Sequence, residues 1–115
     1  MAWLECNKGS GLTPFTIPTF ALETNNSGLF HSATLDLDCI NYATLTIASY
    51  DLSGSSGACQ MSAYDINDQY VNLPNLSGTS TESYTLDIST YKKIRFKLIS
   101  SKVNGEVSLT NITLS

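Results

Sequence analysis

The sequence predicts an all-β chain folded as an antiparallel, two-sheet, jelly-roll-like β-sandwich of roughly eight to ten short strands. Three observations predict it. Apolar and polar residues alternate with period two in several runs, and no stretch longer than about ten residues carries a helical period. Turn-forming clusters separate these runs at the spacing typical of sandwiches. A strand–corner–strand unit, Thr34 to Ser49, returns in shortened form at Thr85 to Ser100. An immunoglobulin-like sandwich is the second choice, because no Cys, Trp, Cys order with suitable spacing is present.

In chain order, Ala2 to Cys6 reads as a short first strand to which Trp3 brings a large apolar side chain, and Lys8 to Gly11 breaks it. Pro14 and Pro18 flank Phe15 to Ile17, which fits an edge segment because proline donates nothing to an inner ladder. Asn25-Asn26-Ser27-Gly28 is a turn leading into the first copy of the unit. There Leu35 and Leu37 oppose Asp36 and Asp38, and Tyr42 is placed to plug the corner before Ala43, Leu45 and Ile47. Ser53 to Gly57 reads as a loop, Ala58 to Tyr64 as an alternating strand, Asp65 to Asp68 as a turn, and Tyr70 to Leu73 as a short strand stopped by Pro74.

Asn75 to Thr81 reads as a polar loop before the second copy, in which Tyr91 matches Tyr42 across a two-residue gap placed at Cys39-Ile40. Asn104-Gly105 is a hairpin signal, since both residues tolerate positive φ. In the last strand Val107 and Leu109 differ in parity from Ile112 and Leu114, which calls for a bulge near Thr110-Asn111.

At 115 residues the chain is expected to be one domain, 1–115, with a single core. Only 14% of residues are charged, and the formal charge of −4 argues against a nucleic-acid partner. The charge is uneven: five of the six cations lie in residues 92–115, and nine of the ten acids in 1–91. The odd trio Cys6, Cys39 and Cys59 lacks CxxC spacing and reads as three unpaired, buried thiols. The amino terminus shows no secretion signal, and no run is long enough for membrane insertion.

The element D-L/I, polar corner, Tyr, then alternating apolar residues resembles one found in carbohydrate-binding jelly rolls. The opening M-A-W-L-E-C-N-K-G and the closing T-N-I-T-L-S are similar to those of small β-sandwich proteins from the tail and baseplate regions of phages of Gram-positive bacteria. Together these stretches span most of the chain. The resemblance implies a virion component of tail, baseplate or fibre. It would be made in the host cytoplasm and carried in several copies, with neighbouring virion proteins and a host surface glycan as partners.

The residues themselves offer no acid–base–nucleophile set, so no enzyme and no cofactor is expected. His31 reads as structural, and Asp36 with Asp38 as exposed strand acids rather than a carboxylate pair. Asp65, Asn67 and Asp68 are oxygen-rich but lack the Gly and Glu of a calcium loop, so no metal is assigned. The best ligand patch is Tyr50, Tyr64, Asn67, Gln69 and Tyr70, whose rings and amides suit a sugar. Lys93, Arg95 and Lys97 share one face of a strand, either pairing with Asp36 or Asp87 or docking an acidic surface.

Overall fold

The computed structural model describes residues 13–24, 31–53, 58–100 and 104–115. Within them the alternating runs form eight strands: β1 (Phe15–Glu23), β2 (His31–Asp38), β3 (Thr44–Leu52), β4 (Ala58–Asp65), β5 (Tyr70–Ser80), β6 (Tyr84–Asp87), β7 (Tyr91–Ser100) and β8 (Glu106–Leu114). Every pairing is antiparallel. The expected strand at Ala2–Cys6, the break after it, the turn at 25–28 and the loop at 54–57 lie outside the described residues.

One layer follows the order β1-β8-β3-β6. The other follows β2-β7-β4-β5. They are not separate sheets, as the sandwich reading expected. The end of β5, Gly78–Ser80, pairs with Tyr50–Leu52 of β3, so a single path β1-β8-β3-β5-β4-β7-β2 runs through the molecule. Its two ends, β1 and β2, lie against each other, which makes the sheet nearly closed and barrel-like.

β5 makes this junction possible, and it is where the sequence reading fails. Pro74 does not stop the strand, and Asn75 to Ser80 is not a loop. Cys59 opposes Leu76 while Met61 opposes Leu73, so β5 carries an extra residue at Pro74-Asn75. A bulge leaves one position unpaired, and proline fits there because it has no N–H to offer. Gly78, at φ 74, then turns the chain toward the other layer.

The repeated unit builds both corners, but without a gap. Asp38-Cys39-Ile40-Asn41-Tyr42 superimposes in role on Asp87-Ile88-Ser89-Thr90-Tyr91. Asp38 Oδ1 accepts the Ile40 N–H at 3.2 Å and Asp87 Oδ1 accepts the Ser89 N–H at 2.9 Å. The Tyr42 N–H donates to the Cys39 carbonyl and the Tyr91 N–H to the Ile88 carbonyl, both at 3.0 Å. Cys39 donates its N–H to Lys92, and Ile88 donates its own to Ala43. Each copy therefore binds the other around a local pseudo-two-fold, β2 against β7 and β3 against β6.

One apolar core fills the space between the layers, with Leu45, Ile47, Ile94, Phe96, Leu98 and Leu109 fully buried. Tyr42 and Tyr91 are half-buried and pack against it. In β8, Val107, Leu109, Ile112 and Leu114 are all buried despite their parity. The change is absorbed at Asn111, whose φ of 51 re-aims the chain, and not by the expected bulge, because the register with β1 and with β3 is the same on either side. Asn104 adopts φ 49, as a turn requires, but the expected hairpin is not formed: β7 pairs with β2 and β4 while β8 pairs with β1 and β3, so the two strands lie in different layers.

Candidate functional site

The outward face of β7, β4 and β5 gathers polar and aromatic side chains in register. Lys93, Tyr64 and Tyr70 form one row; Arg95, Ser62 and Asn72 form the next; Lys97 and Gln60 begin a third. Alternation dictates this, because Cys59, Met61 and Ala63 of β4 are buried and their neighbours must face out. Ser62, the smallest side chain of the middle row, stands between Gln60 and Tyr64 along its strand and between Arg95 and Asn72 across it. A short side chain ringed by long ones leaves a hollow. The resulting groove has a volume of about 640 Å³, and Gln60, Ser62, Tyr70, Asn72, Arg95 and Lys97 supply its outward side chains.

Tyr64 and Tyr70 are directly paired across the β4–β5 hairpin. Their rings meet edge to face, with centroids 5.7 Å apart and planes at 70°. Tyr70 is 58% exposed and Tyr64 45%, so the pair is a surface feature rather than core. The turn beneath it is tied by Asp65, whose Oδ1 accepts the N–H groups of Asn67 at 2.8 Å and Gln69 at 2.9 Å.

Arg95 donates through Nε to Asp36 Oδ1 at 2.7 Å and through Nη2 to Asp36 Oδ2 at 3.0 Å. These charge-assisted bonds hold the Asp36 carboxyl below the usual carboxylate range, with the positive charges of Arg95 and Lys93 adding to the effect. Asp36 grips one edge of the guanidinium, leaving Nη1 turned away from it. Lys92 pairs with Asp68. Lys97 makes no ion pair among the described residues.

The structure thus brings Tyr64, Tyr70, Lys93, Arg95 and Lys97 onto one face, uniting two sets that the sequence presents separately. Tyr50 does not join them. It sits half-buried on β3 in the other layer, packed on the core; burial raises the Tyr84 hydroxyl pKa, and electrostatic repulsion from Tyr50 adds to the effect. Asn67 and Gln69 lie in the turn beyond the rings and do not line the groove. Sequence reasoning missed Gln60, Ser62 and Asn75, which also lines the groove, although the alternation of β4 already places the first two beside Tyr64.

The remaining candidates disperse. Asp36 serves Arg95 while Asp38 ties the first corner. His31 and Cys39 stand at opposite ends of β2. Cys39 and Cys59 are buried thiols, and burial pushes Cys59 up to about 12. Cys6 lies outside the described residues. Among the described residues no three of His, Cys, Asp or Glu converge as metal ligands.

No family model matches the chain, and no curated protein matches it by sequence. Among solved structures it is similar to the crystal structure of the SPBc2 prophage-derived protein YomS, with a TM-score of 0.52 and 21% identity. The likeness covers 90% of this chain and 96% of that one, and it is a likeness of fold.

Proposed function

We propose that this chain is a non-enzymatic structural and adhesion component of a phage particle, carried in several copies in a tail, baseplate or fibre. The observation that carries this reading is the fold it shares with a prophage-derived protein over nearly the whole length of both chains. The layer orders β1-β8-β3-β6 and β2-β7-β4-β5 favour a jelly roll as the finer description of that fold. Successive strands alternate between layers except at the β4–β5 hairpin, as wrapping one long hairpin produces.

Light scattering over a concentration series tests the multicopy part. A mass that rises to multiples of 12.5 kDa is the expected result. Immunogold labelling of purified particles tests the location, and failure to decorate any part of the particle would remove the virion reading.

A second reading, a monomeric module for cell-wall glycans, is favoured by the exposed Tyr64–Tyr70 pair beside the amides of Gln60 and Asn72. A constant 12.5 kDa mass together with a rise in melting temperature on adding wall polysaccharide would select it over the first.

A further inference from the structure

The groove on the outer face of β7, β4 and β5 combines three features that together define a ligand class. The first is an aromatic face. Tyr70 is the more exposed of the two rings, and its edge-to-face contact with Tyr64 fixes the ring's tilt at the groove wall. A fixed, half-wet ring offers an apolar plane for the C–H surface of a sugar at low entropic cost. The second is a set of amides and a hydroxyl, on Gln60, Asn72 and Ser62, which donate to and accept from sugar hydroxyls.

The third is charge. The ionised side chains lining the groove are Arg95 and Lys97, both positive, in a chain whose formal charge is −4. Arg95 is held by Asp36 through Nε and Nη2, which aims the guanidinium and leaves Nη1 for another acceptor. A groove of about 640 Å³ falls within the range of roughly 300–1,000 Å³ usual for ligand sites.

We propose that this groove binds an acidic saccharide chain, with a sugar ring on Tyr70 and its carboxylate or phosphate between Arg95 Nη1 and Lys97. The proposal rests on the carbohydrate reading of this face and adds the sign of the ligand's charge. Asp36 acts here as a positioning residue for Arg95.

The test is calorimetric titration of the full chain with tetragalacturonate and phosphomannan as acidic probes, and with chitotetraose and unphosphorylated mannan as neutral ones. At least one acidic probe should bind, and more weakly as salt is raised. Lys97→Gln and Tyr70→Ala should each weaken it by about tenfold or more. Both side chains are exposed, so melting temperature should stay unchanged and exclude misfolding as the cause.

Equal binding of neutral and acidic probes overturns the proposal and leaves the carbohydrate reading intact. Binding of no saccharide overturns both. Acidic binding insensitive to Tyr70→Ala but lost with Lys97→Gln means simple ion attraction and overturns the saccharide assignment. Loss of self-association in Lys97→Gln without any saccharide binding assigns the face to another copy of the chain.

Discussion

Asp36 and Arg95 show how one contact shapes both charge and site. The guanidinium is engaged along one edge, which neutralises an exposed acid and orients a cation at the groove. Because bonding to Arg95 depresses the Asp36 pKa, the pair stabilises the fold above the unfolded carboxyl pKa and loses that contribution as pH falls through the lower, folded value. Carboxyl-detected NMR titration should place the Asp36 midpoint below 3.8 and return it toward that value in Arg95→Gln. A midpoint that does not move with the substitution would mean the pair is absent in solution. The register also explains why Arg95→Glu is a poor probe of this face, since it sets two carboxylates opposite each other and destabilises by repulsion. Lys97 carries no such penalty.

The corner is the element on which the fold turns. Tyr42 and Tyr91 close equivalent corners against one core, whereas Tyr70 stands on the surface. Tyr42→Ala and Tyr91→Ala should therefore each cost about 2–3 kcal/mol in urea denaturation. Tyr70→Ala should cost less than about 0.5 kcal/mol. Equal small losses at all three positions would strip the corners of that role. Both corners were legible in the sequence because Tyr42 and Tyr91 each precede an alternating apolar run. The alignment of their first arms was misread: the repeated Thr-Leu-Asp drew Thr85 onto Thr34, whereas hydrogen bonding equates Asp87 with Asp38. Side-chain identity favoured the wrong pair, and only the turn geometry separates the two. Pro74 misled for a related reason, since a proline inside a strand reads as a stop until a bulge supplies the position it needs. The near closure of the sheet through β5 was equally invisible, because it depends on three residues of pairing at Gly78–Ser80.

At the scale of the molecule, fold and surface divide the chain's work. The two copies of the unit lock the layers together around a pseudo-two-fold, while β4 and β5, joined by the turn that Asp65 ties, carry the ring pair. The groove was only half legible. Its tyrosines and cations could be picked out by type, but their convergence depends on the β4–β5 and β4–β7 registers, which pair Tyr64 with Tyr70 and Ser62 with Arg95. The central claim is that this outer face is where the protein meets its ligand. Amide chemical-shift mapping of the labelled chain against the acidic saccharides tests it most directly. Shifts should concentrate at Gln60, Ser62, Tyr70, Asn72 and Lys97 and leave β1, β3 and β8 unmoved. Shifts that fall instead on β1, β3 and β8, or no shifts with either acidic saccharide, would contradict it.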